Sequence, residues 1–244
     1  MMRDWLRAFG GVEKSERCTA LKIKGRIMQF EVFCDFDGTI TRDTTDILLE
    51  RLADPSWHEI EDRWVRKEIG SRECMALQVP LIQGGWNAVR RVLDELPLAA
   101  GFTRFAHWCN EYEIPLYVVS DGMDKVIEYF FQREKIKVDG IFANSVVEDE
   151  NGNLQLGFPY SALGCGSGVC KCRILQNEGT ATTVVIGDGR SDFCWSGNAD
   201  IVFAKASLLT ECRAQRRACI PFEDFHSIRM TLDSMLADPE QVAV

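Results

Sequence analysis

The chain has 244 residues, with 28 Lys and Arg against 37 Asp and Glu and a formal net charge of -9 at pH 7. It is long enough to bury a full core as one domain with an insertion, and with no block of basic residues the charge excludes a phosphate-backbone footprint, so nucleic acid is not an expected partner. No apolar run approaches the roughly 18 residues of a bilayer span and no signal segment is read at the N-terminus, so no membrane is expected, and the ten cysteines read as reduced thiols in a cytoplasm.

In chain order, residues 1–27 lack a sustained period and read as an N-terminal extension, with Met28 as an alternative start. "FEVFCDF" (30–36) is the first apolar run with the length and composition of a buried strand. The 82 residues between Asp37 and Ser120 then read as helical: "TTDILLERLA", "SWHEIEDRWVRKEIG", "SRECMALQVPLI", "GWNAVRRVLDEL" and "GFTRFAHWCNEY". A single crossover needs one helix, so most of this stretch is surplus and predicts a helical cap inserted over residues 43–100. "PLYVVS" (115–120) is a second strand, and "SVVEDENGNLQLGF" predicts a β-hairpin flap turning at Asn151-Gly152. "TTVVIGD" (182–188) and "ADIVFA" (199–204) complete the strands. The alternation predicts an α/β fold: a Rossmann-like parallel sheet with helices on both faces, formed by residues 28–42 and 101–244.

Three of these strands end on Asp or Ser, and ligands of open α/β sheets bind beyond the carboxyl ends of the strands. Asp35 and Asp37, one residue apart at a strand mouth, would repel each other unless a cation offset their charge. Asp188 and Asp192 in "GDGRSD" add the hard oxygens that Mg²⁺ prefers. Ser120 and Lys171 would then supply a hydroxyl and a positive charge for a phosphoryl group. Lys171 is preferred to Lys135, Lys137 and Lys205 because it directly precedes a helix-like run. Cys165, Cys170 and Cys172 could ligate a metal, but their spacing is not that of a C-x-x-C knuckle and His58, His107 and His226 are distant in sequence, which favours structural or incidental thiols. Trp57 and Trp64 read as core residues at helical spacing, with pocket lining as the second reading.

Taken in order, "DFDGT", Ser120 in "VVSDG", Lys171 and "GDGRSD" resemble the four motifs of the haloacid dehalogenase-like phosphohydrolase superfamily, from about Phe30 to Cys212. The long insertion is similar to that superfamily's class 1 cap. The resemblance implies Asp35 as a nucleophile that forms an aspartyl-phosphate and Asp37 as the general acid and base. It implies Thr39 and Ser120 as donors to the phosphoryl oxygens and Lys171 as the balancing charge. Mg²⁺ would be held by the Asp35 side chain, the Asp37 carbonyl and Asp188, with Asp192 supporting directly or through water. The second aspartate separates hydrolysis from the transport ATPases and dehalogenases of the superfamily, which lack it.

Within the superfamily the likeness is to the phosphoserine phosphatase branch. "SRECM", "VVSDGMD" and "IGDGRSDFCWSGNADIVFAKASLLTEC" are similar to the methylthiopentenyl-phosphate phosphatases of methionine salvage. Asp43 falls where the branch has an acidic residue for the substrate amine. The expected arginine for the carboxylate falls near Leu77, leaving Arg66, Lys67 or Arg72 as substitutes, of which Arg72 is the candidate. The resemblance therefore implies a small phosphorylated metabolite of the salvage type as substrate. Phosphoserine hydrolysis or phosphotransfer is the second reading, and a non-catalytic binding module the third.

Overall fold

The structure, a computed structural model, describes residues 29–176 and 181–237. The expectations for residues 1–27 and for Met28 lie outside them. β1 (Phe30–Cys34) is buried on both sides, with Val32 and Cys34 facing one apolar cluster and Phe33 another. A strand with both faces covered reads as a continuous apolar run, which is why it was legible. β1 lies at the centre of a seven-stranded sheet of order β4-β3-β2-β1-β5-β6-β7 among the described residues. Its neighbours are β2 (Leu116–Met123) and β5 (Thr182–Gly187), both parallel to it. β6 (Ile201–Ala204) and β7 (Ile220–Pro221) extend the β5 side in parallel.

The other edge holds a strand with two uses. β3 (Gly140–Glu148) pairs in parallel with β2 from Gly140, then antiparallel with β4 (Leu154–Gly157) from Ser145. The expected hairpin is present, with Gly152 at φ +82° in its turn. Its first strand, however, is also a member of the main sheet. That first half and β7 were not expected: "GIFAN" has one β-branched residue, and β7 is a two-residue edge ending on a proline.

Between β1 and β2 run α1 (Thr44–Leu52), α2 (Trp57–Val65), α3 (Ser71–Gln78), α4 (Gly85–Leu93) and α5 (Phe102–Glu111). The part from α1 to α4 leaves and rejoins the sheet at a neck. The Ala99 N–H donates to the Ile40 carbonyl (2.7 Å), and the Thr41 hydroxyl donates to the Pro97 carbonyl (2.9 Å). No helix among the described residues is long and apolar enough to cross a membrane.

Helices cover both faces of the sheet. α5, α6 (Asp124–Glu134) and α9 (Phe225–Ala237) bring Phe105, Phe130 and Phe225 onto the face presented by Val32, Val118 and Phe203. The opposite face takes Leu175 from α7 (Lys171–Leu175) and Leu208 from α8 (Ala206–Ala214). α7 also packs on the turn Trp195–Asn198, bringing Cys172 and Cys194 to a Cα separation of 6.3 Å, where they form a disulfide. The reading of every thiol as reduced is corrected by this pair. Cys172 is therefore taken, and Cys165 and Cys170 remain free rather than joining it around a metal.

Phe225 is fully buried, with its ring 4.9 Å from that of Phe102 and 5.4 Å from that of Phe105. Phe225→Ala is expected to destabilise the fold by about 3 kcal/mol through the cavity it leaves, lowering the thermal midpoint by about 10 °C in a circular dichroism melt.

Candidate active site

The chain turns sharply where β1 ends. The Phe36 carbonyl accepts from the N–H groups of Thr39, Ile40 and Thr41, and Gly38 takes φ +78°. This turn sets Asp35 and Asp37 at the mouth of the central strand. A Cβ on Gly38 would lie 2.4 Å from Asp188 Oδ2, so glycine is required both by the backbone and by the carboxylate seated against it. Thr39 is fully buried and donates its hydroxyl to Asp188 Oδ1 (2.6 Å), which orients that carboxylate; it does not line the cavity.

Asp37 Oδ1 accepts from both the backbone N–H (2.7 Å) and the hydroxyl (2.6 Å) of Thr44, the first residue of α1. Its Oδ2 stands where a Cβ on Gly122 would come within 2.3 Å. Burial first, and then the nearby Asp43 carboxylate, push Asp37 up to about 7, while Thr44 pulls it down. Ser120, buried in β2, accepts the Gly122 N–H at its hydroxyl oxygen (2.9 Å), which leaves its own proton free to donate into the site.

Lys171 joins the parts. Its ammonium donates to Asp35 Oδ1 (2.7 Å) and Asp192 Oδ1 (2.8 Å), with all three side chains buried. Burial opposes its charge, but Asp192 and Asp35 outweigh that and hold the amine above its ordinary value. Burial also raises Asp35, with Asp192 adding to the effect and Lys171 opposing it. Asp192 is saturated by protein donors: Oδ1 receives Lys171 and Trp195 Nε1, and Oδ2 receives the N–H groups of Asp188 and Gly189. It therefore anchors Lys171 and the loop after β5, without a free lone pair for direct ligation.

Asp35, Asp188 and Asp192 present oxygens within 4.8 Å of one another. Three carboxylates against the Lys171 ammonium leave excess negative charge in a buried site, and their oxygens are hard donors. The set fits Mg²⁺, with Asp35 and Asp188 as the residues that would hold it.

A cavity of about 420 Å³ opens above these groups, with Asp35, Asp37, Ser120 and Asp188 at its floor. α3 presents Ser71, Cys74, Met75 and Gln78 to it, one face at helical spacing. Arg72 and Leu77 lie on other faces, and Leu77 is 40% exposed. Position 77, near which the resemblance places the family's arginine, thus does not line the cavity, and the Arg72 backbone N–H donates to the Gly166 carbonyl (3.0 Å). Asp43 does line the cavity while its side chain caps α1 by accepting the Asp46 N–H (3.0 Å). The cations on the wall are Lys67 and Arg190, the latter with Cζ 5.6 Å from the Trp64 ring centroid. Sequence reasoning missed Arg190, although it lies inside "GDGRSD", and missed Thr44 and Asp121.

Asp46 shares this wall, and burial, followed by Asp43 and Glu61, raises it to about 6. An acid raised by folding contributes stability below its unfolded value and loses it as pH rises through the folded value. Asp46→Asn should therefore match the parent in thermal midpoint near pH 4 and exceed it above pH 6, by an amount reduced because the side chain is partly exposed. Melts across that range check the sign.

Comparison with known proteins agrees with this geometry. A sequence profile for haloacid dehalogenase-like hydrolases matches residues 32–196. A 2-hydroxy-3-keto-5-methylthiopentenyl-1-phosphate phosphatase of Bacillus thuringiensis subsp. konkukian is 30% identical over 217 residues, covering 86% of this chain and 98% of the relative. The protein of that name from Bacillus mycoides is 30% identical over 218 residues, with the same coverage. In fold, the chain is similar to a phospho-aspartyl intermediate analogue of phosphoserine phosphatase, with TM-score 0.63 and 18% identity over 84% of this chain and 99% of that one. Because the matched span runs from β1 through Asp192 and the relatives align over nearly their whole length, this chain belongs to the haloacid dehalogenase-like hydrolase family.

Proposed function

We propose that the chain is a Mg²⁺-dependent phosphatase that hydrolyses a small phosphomonoester through an aspartyl-phosphate on Asp35. The observation that carries this reading is the buried bridge from Lys171 to Asp35 and Asp192 beside Asp37 and Ser120. It sets a carboxylate, an acid and a hydroxyl donor around one point at the cavity floor.

In the first step an Asp35 oxygen attacks phosphorus, the ester P–O bond breaks, and Asp37 gives its proton to the departing alkoxide. In the second, Asp37 takes a proton from water, the water oxygen attacks phosphorus, and the bond from phosphorus to Asp35 breaks. An alcohol and inorganic phosphate leave, and both carboxylates return to their starting states. Burial favours the protonated form of Asp37 that the first step needs, and Thr44 keeps the carboxyl pointed while its charge changes. Ser120 donates to a phosphoryl oxygen and Lys171 offsets charge on Asp35 and the phosphoryl group. Bound Mg²⁺ would supply further charge neutralisation at the phosphoryl oxygens.

Residues 43–100 act in this reading as the cap that selects the ester. Trp64, Ile69 and Met75 form an apolar stretch of the wall, suited to a thioether or alkyl tail of the kind carried by a methylthiopentenyl phosphate. We infer a cytoplasmic setting for such a metabolic ester.

Asp35→Asn should still fold, because Lys171 keeps its ion pair with Asp192, and lose turnover by at least about 10⁴-fold, as expected for removal of a nucleophile. Phosphate release from p-nitrophenyl phosphate with Mg²⁺ measures this, and near-parental activity would remove the assignment. Asp37→Asn should still accept phosphate from an activated ester and release it slowly. Rapid quench would then show a phosphoenzyme burst followed by turnover reduced about 10²- to 10⁴-fold.

A further inference from the structure

Asp121 follows Ser120 in β2, where the pairing with β3 shifts register between Val119 and Met123. Its carboxylate joins two separate parts of the molecule. Oδ2 accepts the hydroxyl of Ser71, the first residue of α3, and Oδ1 accepts the backbone N–H of Val169 (2.8 Å), two residues before Lys171. Its own carbonyl accepts from the side-chain amide of buried Asn144, which steadies the turn from below.

The two parts it joins also touch each other. The Arg72 N–H donates to the Gly166 carbonyl (3.0 Å), and a Cβ on Gly70 would lie 2.4 Å from that same oxygen. Beneath the segment, Asn144 Oδ1 is buried without a partner and faces Gly168, where a Cβ would come within 2.4 Å. Residues 166–169 are thus pressed between α3 and Asn144, with the Asp121 carboxylate holding both sides.

We propose that Asp121 is a positioning residue, a latch that couples the seating of α3 over the cavity to the placement of the segment that delivers Lys171. α3 supplies the wall residues Cys74, Met75 and Gln78, and Lys171 meets Asp35 at the floor. A substrate that seats α3 therefore also steadies the ammonium beside Asp35. The latch needs an aspartate: both hydrogen bonds are received, one from O–H and one from N–H, and an amide in its place has a single acceptor atom. The negative charge also suits the N-terminal end of α3. This inference rests on the phosphatase reading for its effect on turnover, but not for the coupling itself.

The test compares the parent with Ser71→Ala, Ser71→Thr, Asp121→Asn and the double variant Ser71→Ala/Asp121→Asn. Two readouts apply: phosphate release from a turned-over ester with Mg²⁺, and backbone hydrogen exchange by mass spectrometry. Ser71→Ala is expected to reduce kcat/KM about tenfold, mainly through KM, as for loss of one hydrogen bond to a charged group. Ser71→Thr is expected to restore most of it. In the Asp121→Asn background, Ser71→Ala should add less than about twofold. Exchange should quicken in both residues 71–78 and residues 166–171 in Ser71→Ala and in Asp121→Asn.

Additive effects of the two substitutions on kcat/KM, no rescue by threonine, or quickened exchange confined to the substituted segment would each overturn the latch. Failure of the parent to release phosphate from any ester would instead sink the phosphatase reading, and the exchange comparison alone would then decide the coupling. Should Asp121→Asn not fold, Ser71→Ala against Ser71→Thr with exchange at 166–171 carries the same decision.

Discussion

The ammonium of Lys171 stands between two carboxylates with no water-exposed side, 2.7 Å from Asp35 and 2.8 Å from Asp192. Taking three charged groups out of water costs several kcal/mol each before their attraction is counted, and removing one partner strands the rest. The surroundings answer that constraint with donors. Trp195 gives its indole N–H to Asp192 and sets its ring 5.0 Å from the ammonium, while the Asp188 and Gly189 amides satisfy the other Asp192 oxygen. The loop after β5 is therefore shaped around Asp192, and α7 is held against the sheet at the residue that carries the charge.

The sheet makes this meeting possible. β1 lies between β2 and β5, so Asp35 and Asp188, just past the ends of β1 and β5, share one crevice with Ser120 in the last half of β2. Side chains this close leave no room for ordinary backbone neighbours, and glycines stand where carboxylates press in: Gly38 against Asp188 and Gly122 against Asp37. Acids and glycines are thus a single packing solution, in which the charge is held close to main-chain donors.

Much of this was legible in the sequence because central strands are buried on both faces and because phosphoryl chemistry needs fixed residue types at strand ends. β1 and β5 came from the first constraint, and the order Asp35, Asp37, Ser120, Lys171, Asp188 from the resemblance to the family's four motifs. β3 was half hidden, since Gly140 and Asn144 are there for contacts with Tyr117 and Asp121 rather than for strand propensity. Asp121 itself was passed over because its partner Ser71 lies 50 residues away. The resemblance places the family's arginine only near Leu77, and each residue turns a helix by about 100°, so a small offset moves a side chain from cavity to solvent. The Cys172–Cys194 pair joins residues 22 apart, and spacing alone does not reveal connectivity.

The neck between Ile40–Thr41 and Pro97–Ala99 bears on how such a protein can change over evolutionary time. A segment whose two ends meet across a pair of hydrogen bonds closes as a short loop whatever its interior length, and closure entropy grows only slowly with added residues. The helices between those ends can lengthen, shorten or be exchanged as a cassette while the strand ends keep their register. The contacts that such an exchange must respect cross back to the sheet and its helices, and they include Ser71 on Asp121, Thr44 on Asp37, the Arg72 N–H on the Gly166 carbonyl, the Trp86 N–H on Glu148, and the Leu93 and Leu96 carbonyls on Arg133. New specificities can therefore arise by recombination at the neck, provided that these crossing contacts are re-fitted.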